Sequence, residues 1–460
     1  MTSEIEFANR IYYNYEHYKE KSLINRRFKH SDIIPLIEHL NKSEVFSLTM
    51  AGESAQKRSI NLIKFGNGKT KVFLWSQMHG DESTATMALF DIFNFLGAFD
   101  GFNDVRRLFA ENLSIYFMPM VNPDGAEVFQ RRNSLEIDLN RDAAKQQSPE
   151  SRILKETFDN LKADFGFNLH DQNILYSAGH TFKPATLSFL APPVDYEQTI
   201  DDARSNSMKL ISHLYEVLSV FIPGHIAKYK DDFEPRAFGD NFQKAGTSTI
   251  LIESGGWKDD PEKQFVRKLN YTALLVALKS IAEKNYTHEK IEIYENIPFN
   301  EEDLMDMIIR NVTFKNNGIE YKIDIGITRT ESNFNGAKEF HHESAIEDIG
   351  DLSIYFGYED YDFNGMEIFP GKTYSKKFSS ISEIEKLNPH EMYSQGYTNI
   401  IVNSDSSGFY QKGFPFFIIN PGQQNPSEIK IGKTPNFILK MNDKVRYVVI
   451  NGFLIDTEEI

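Results

Sequence analysis

The 460-residue chain contains no cysteine. That excludes a disulfide framework, a thiolate metal site and a thiol nucleophile, so a transition metal would have to be held by His and carboxylate side chains. Long apolar runs are also missing. No uninterrupted stretch reaches the ~18 residues needed to span a bilayer. The N-terminal MTSEIEFANRIYYNYEHYKEKS has no apolar h-region of a secretory signal. We therefore expect no membrane partner and a cytoplasmic location. Basic charge is in deficit, with 50 Lys and Arg against 66 Asp and Glu and a formal net charge of -16. Such a field repels nucleic acid and anionic lipid, and no nucleic-acid partner is expected. What the chain does have is 40% hydrophobic and 25% charged residues, ordinary values for a protein able to bury a core. Its length suggests two or three domains.

Residues 1–40 are charged and aromatic, with helical spacing at Ile33, Ile34, Leu36, Ile37 and Leu40, and read as an N-terminal helical extension. From residue 41 short apolar runs alternate with amphipathic patterns. KVFLWSQ, LSIYFMPMV, FGFNLHD and STILIES read as buried strands. TATMALFDIFNFL and SPESRILKETFDNL read as helices, the second with Ser148 as N-cap and Pro149 at its first helical position. The alternation implies an α/β domain over 41–288, a mostly parallel mixed sheet with helices on both faces. Residues 289–460 are richer in Tyr, Phe, Gly and Asn, with strand-like pieces such as YKIDIGI, NFILKM and VRYVVINGFLID. They read as a β-rich accessory domain of sandwich type, structural in role or a surface for homo-oligomer formation.

In a parallel sheet ligands bind beyond the carboxyl ends of the strands. His79 and Glu82 follow the first of the four apolar runs, Asn122 and Asp124 the second, His170 and Asp171 the third, and Glu253 closes the fourth. All of them fall on one rim. Imidazole and carboxylate three residues apart at a strand end can aim at one point, a donor set suited to zinc, with His170 as the third ligand. Asp171 reads either as a hydrogen-bond acceptor behind the ligands or as a solvated acid.

MHGDES, VNPDGAEVF, RRNSLEIDLNRD, FNLHD and TSTILIESGG stand in the order seen in the zinc carboxypeptidase family, the carboxypeptidase A-like metallopeptidases, and the chain resembles that family over roughly residues 40–285. The resemblance implies one zinc ion held by His79, Glu82 and His170, with Glu253 as general base. It makes Asn140 and Arg141 the pair that grips a free terminal carboxylate of a peptide or small amide substrate. Arg131 takes the place of the arginine that polarises the scissile carbonyl, with Arg132 as the competing register. Pro123 and Gly125 of NPDG read as scaffolding. The implied activity is hydrolysis of a C-terminal peptide bond. Two alternatives remain: an N-acyl amino acid deacylase of the aspartoacylase or succinylglutamate desuccinylase type, and a non-catalytic peptide-binding relative. Asp81 stands where several family members carry an arginine, a contact that Arg236 could supply, and no tyrosine is assigned, although Tyr229 and Phe233 lie near the expected loop. GHIAKYKDDFEPRAFGD reads as a lid or pocket wall, and His341 and His342 as a solvated loop.

Overall fold

The computed structural model describes residues 2–230, 232–403, 413–422 and 427–460. These fall into two compact units, Met1–Glu302 and Asp303–Ile460. In chain order the first unit runs α1 (Thr2–Tyr13), α2 (His30–Leu40), β1 (Phe46–Glu53), β2 (Ser59–Phe65), β3 (Thr70–Ser76), α3 (Thr84–Gly97), α4 (Asn103–Asn112), β4 (Leu113–Met118), α5 (Pro123–Val128) and α6 (Pro149–Leu161). It continues with β5 (Phe165–Asp171), β6 (Ser177–Ala178), β7 (Leu187–Leu190), α7 (Asp202–Leu218), β8 (Ile226–Lys228), α8 (Phe238–Lys244), β9 (Ser248–Ser254), α9 (Gln264–Glu283), α10 (Ile291–Glu295) and β10 (Asn300–Glu301).

Eight of these strands form one sheet in the order β1-β2-β4-β3-β5-β9-β7-β8. Its centre, β4-β3-β5-β9, is parallel, whereas β1, β2 and β7 join antiparallel. Side-chain alternation along β3 divides the core between the two faces. Val72 and Leu74 enter the larger cluster with α3, α7 and α9. Phe73 and Trp75 enter a second cluster with Leu154 and Phe158 of α6 and Phe238 and Phe242 of α8. Trp75 is fully buried, and the rings of Phe158 and Phe242 stack at 3.6 Å. Burial of a side chain of this size stabilises by about 1.5–3 kcal/mol. Helices therefore cover both faces, and the parallel strands are apolar on both sides.

The first 40 residues do not stand apart. Phe7, Ala8 and Ile11 of α1 and Ile33 and Ile37 of α2 are buried in the same cluster as the sheet. Residues 289–302 also belong to the first unit, because Tyr294 and Ile297 are buried in that cluster and β10 pairs with β6. The contact boundary thus lies beyond the one drawn from composition.

The second unit is β-rich. Strands Leu304–Asn316, Ile319–Phe334 and Glu339–Gly350 form an antiparallel meander, and Phe437–Met441, Lys444–Ile450 and Phe453–Asp456 form another within the same sheet. Lys372–Phe378, Tyr397–Val402 and Phe417–Ile419 make a separate parallel sheet. His341 and His342 were expected in a loop. They lie instead within the Glu339–Gly350 strand, paired with Ser332 and Glu331. Among the described residues neither joins a cluster of metal-ligating side chains.

Candidate active site

The site is assembled at the carboxyl ends of the parallel strands. β3 ends at Ser76, and Gln77 turns the chain with a left-handed φ of 55°. Its side-chain amide donates to the Gly80 carbonyl oxygen at 2.9 Å, and its own carbonyl accepts from the Asn122 N–H at 3.0 Å. The loop that carries His79 is thereby tied to the end of the neighbouring strand. Gly80 is required there: a Cβ would fall 2.1 Å from the Gly125 carbonyl carbon, backbone against backbone. Asn122 caps α5 by accepting from the Gly125 N–H at 2.9 Å and donates to the Met78 carbonyl oxygen at 3.1 Å. NPDG is scaffolding in this structure, stitching two rim loops together.

His79, Glu82 and His170 are all buried, and they are the one set of three or more potential metal ligands among the described residues, with one donor atom from each within 4.8 Å of the others. Glu82 bridges the two imidazoles. Its Oε1 lies 2.6 Å from His79 Nδ1 and its Oε2 2.6 Å from His170 Nδ1. Two Nδ1 atoms and a carboxylate converging on one point suit a zinc ion, which takes three protein ligands in catalytic sites and keeps a fourth position open. Behind them, His79 Nε2 is 3.1 Å from Asp138 Oδ1. A carboxylate on that nitrogen holds its proton there and leaves Nδ1 free for a metal. His170 Nε2 lies 3.4 Å from Asn140 Nδ2. The residues present fit the metal.

Burial works against a charged imidazole at His79, but the Glu82 carboxylate and the hydrogen bond to Asp138 outweigh it and push its pKa up to about 9. At His170 burial prevails over Glu82, and the pKa is lowered. Glu82 and Asp138 are buried, yet their histidine partners hold both carboxyls well below the usual range.

Glu253 is the register partner of His170 on the adjacent strand. Its Oε2 is buried with no hydrogen-bond partner among the described residues, and burial followed by the charge of Glu82 raises its pKa well above the ordinary value. Asp171, next to His170, is not solvated: it accepts from Thr84 Oγ1 at 2.5 Å and from Lys263 Nζ at 3.1 Å.

The RRNSLEIDLNRD segment is shaped from within. Asn133 Oδ1 accepts from the Leu135 and Ile137 N–H groups, both at 3.0 Å, and Asp138 Oδ1 from the Asn140 N–H at 3.0 Å. Arg131 is carried to the site, where its Nε donates to Asp138 Oδ2 at 3.0 Å and its Nη1 to Glu82 Oε1 at 3.3 Å. Arg132 bonds instead to the exposed Glu136 carbonyl at 2.8 Å, outside the cavity. Asn140 Oδ1 accepts from the Phe238 N–H at 3.0 Å, at the start of α8.

These groups open onto one cavity of about 330 Å³, lined by His79, Glu82, Arg131, Asn140, Arg141, His170 and Glu253, and further by Tyr176, Leu190, Tyr229, Glu234, Ala237, Asp240 and Leu251. That volume suits a small ligand or the end of a chain. The 224–240 segment does supply one wall, through Tyr229, Glu234, Ala237 and Asp240; Asp231 within it lies outside the described residues. Tyr229 packs edge-on against Tyr176 with centroids 6.0 Å apart. Arg236 is not a lining residue, and its guanidinium pairs with Glu234. The sequence reading missed Asp138, Glu234 and Asp240. Asp138 opens DLNRD, and its spacing from Asn140 and Arg141 is the sequence signal that marks it.

Residues 33–168 match the family model described as zinc carboxypeptidase. That span includes His79, Glu82, Arg131, Asn140 and Arg141 and ends just before His170. A probable carboxypeptidase 2 of Arthroderma benhamiae is 28% identical over 116 residues, 25% of this chain and 21% of the relative. Carboxypeptidase 2 of Trichophyton tonsurans is 29% identical over 131 residues, 28% of this chain and 23% of the relative. The chain therefore spans less than a quarter of the length of these curated relatives. A solved metallo-carboxypeptidase from Burkholderia cenocepacia aligns at 16% identity and a TM-score of 0.46, covering 56% of this chain and 70% of that one. Over residues 33–168 the chain is similar to the zinc carboxypeptidase family.

Proposed function

We propose that the first unit is a zinc-dependent carboxypeptidase that hydrolyses the terminal peptide bond of a substrate with a free carboxylate. One observation carries the reading: three donor atoms suited to zinc, an unpartnered Glu253 carboxylate oxygen on the adjacent strand and the Arg141 guanidinium all open onto a single cavity. The carboxypeptidase names of the relatives support it.

His79, Glu82 and His170 would hold the ion, with Asp138 fixing the His79 tautomer. A bound zinc ion supplies Lewis acidity, which makes water a nucleophile near neutral pH and polarises a carbonyl. Arg141 forms parallel hydrogen bonds to the terminal carboxylate, which sets the register of the chain end, and Asn140 stands beside it. Arg131 faces the same cavity and presents its guanidinium to the charge that develops on the carbonyl oxygen. Glu253 takes the proton of the attacking water and passes it to the departing amine as the C–N bond breaks.

The test is a chelator-treated and zinc-reconstituted protein assayed on short peptides, their C-terminal amides and acylated amino acids. Zinc-dependent release of the terminal residue from free-carboxylate peptides alone is the expected result. Turnover confined to acylated amino acids would replace the peptide by a smaller amide, and activity indifferent to zinc would end the reading.

A further inference from the structure

Arg141 is already paired with an acid of its own chain. Its Nε lies 3.3 Å from Glu234 Oε2, and its Nη1 donates to the Asn140 carbonyl oxygen at 2.7 Å. From the other side Arg236 grips the same carboxylate with two hydrogen bonds, Nε to Oε1 at 2.9 Å and Nη2 to Oε2 at 2.8 Å. The Glu234 N–H donates to Asp240 Oδ1 at 3.0 Å, which anchors the segment to the first turn of α8. Arg141 and Glu234 line the same cavity as Glu82, His170 and Glu253.

We propose that Glu234 is a built-in occupant of the carboxylate seat on Arg141, and that a substrate's terminal carboxylate binds by displacing it toward Arg236. The proposal rests on Arg141 being the grip for that carboxylate. Glu234 presents the same chemical group as a peptide terminus to the same guanidinium. A bidentate grip through Nε and Nη2 needs the edge beside which Glu234 sits. Two carboxylates crowded on one guanidinium repel each other, so the second to arrive must move the first. The displaced side chain is not left as an unpaired charge, because Arg236 keeps both of its oxygens. The exchange disturbs no core residue, since the Arg141, Glu234 and Arg236 side chains are 39%, 27% and 59% exposed. The hydrogen bonds from Arg236 lower the Glu234 pKa, so the competitor is ionised at neutral pH.

The occupant lowers affinity for free carboxylates and leaves a neutral terminus with nothing to displace, which narrows the discrimination that Arg141 alone would give. The two residues that hold Glu234 act with opposite sign. Removing its charge frees the seat, whereas removing Arg236 leaves Glu234 with Arg141 as its one ion-pair partner among the described residues and makes it harder to displace.

The experiment uses the zinc-loaded full-length protein and a matched probe pair, an N-blocked dipeptide with a free carboxylate and its C-terminal amide. Dissociation constants are measured by calorimetry, with KM for any peptide that turns over. Glu234→Gln should bind the carboxylate form roughly two- to fivefold tighter, the range of a partly exposed charge pair, and leave the amide essentially unchanged. Arg236→Gln should weaken the carboxylate form. If Glu234→Gln weakens it, or both variants shift it the same way, Glu234 positions Arg141 and the proposal is wrong. If Arg141→Ala leaves the preference for carboxylate over amide intact, the grip itself is misassigned and the proposal falls with it. A preference that Arg141→Ala abolishes but Glu234→Gln does not enlarge overturns the occupant alone.

Discussion

Replacing Asp138 by asparagine should weaken zinc binding without removing a ligand. Asp138 makes three contacts: Oδ1 with His79 Nε2 at 3.1 Å and with the Asn140 N–H at 3.0 Å, and Oδ2 with Arg131 Nε at 3.0 Å. Asparagine has nearly the same volume and still accepts from the Asn140 N–H, so the turn that presents Asn140 and Arg141 should persist. What goes is the charge. A hydrogen bond to an ionised partner contributes about 1.5–3 kcal/mol and a neutral one about 0.5–1.5, a difference of roughly 1–2 kcal/mol at His79. That converts to about 5- to 30-fold in the zinc dissociation constant, which overlaps the lower part of the 10–100-fold range known for partners that orient a ligating histidine. Competition against a chromophoric chelator at fixed pH measures it, with the melting temperature as a check on folding. Two results would refute the reasoning. An unchanged dissociation constant would mean that the His79 ring is oriented by other contacts. A loss as complete as that of His79→Ala would make Asp138 a ligand in its own right.

Glu253→Gln should keep its zinc and lose about 10²–10⁴-fold in turnover, the contribution of a positioned general base; near-full turnover with zinc bound would remove Glu253 from that role. His79→Ala and His170→Ala should each purify with little zinc, read by elemental analysis, and undiminished content in either would break the ligand assignment. Gly80→Ala should lower both the melting temperature and zinc affinity, because its Cβ meets the Gly125 backbone and the His79 loop must shift; an unaltered protein would show that the loop has slack. Burial opposes the charge on Glu4, yet His213 and Lys279 hold its pKa down at about 2 against the ordinary 4.5. Its stabilisation is therefore present above pH 4.5 and is lost as pH falls toward 2, so over that window wild type should lose about 1–2 kcal/mol more than Glu4→Gln, and parallel stability profiles would count against it.

The chemistry of the rim was legible because parallel strands buried on both faces write themselves as apolar runs with a polar residue where each run stops. β3, β5 and β9 coincide closely with the runs KVFLWSQ, FGFNLHD and STILIES, and Ser148 caps α6 through the Ser151 N–H at 3.1 Å. The N-terminal helices were less legible. α1 carries Glu4, Glu6 and Arg10 beside Phe7, Ala8 and Ile11, and a short, weakly amphipathic pattern does not say whether its apolar stripe meets the sheet or a separate unit. Arg131 and Arg132 could not be separated, since adjacent residues of one type differ only in the direction the backbone turns them, and that direction is set by Asn133 and Asp138 further along.

Glu234 shows a different limit. In KDDFEPRAFGD it reads as one more charge on a solvated face, and nothing local distinguishes it from the exposed Asp232. Its place beside Arg141 follows from a contact between segments far apart in the chain, fixed by the Asn140 side chain accepting from the Phe238 N–H. The same bond places α8, and so Asp240 and Ala237, on the cavity wall. Asn140 thus joins two things that sequence keeps apart, the neighbour of the His170 imidazole and the wall that faces the substrate. Through it the metal ligands and the carboxylate seat share one support, so a change in the 234–240 segment should be felt at His170 as well as at Arg141.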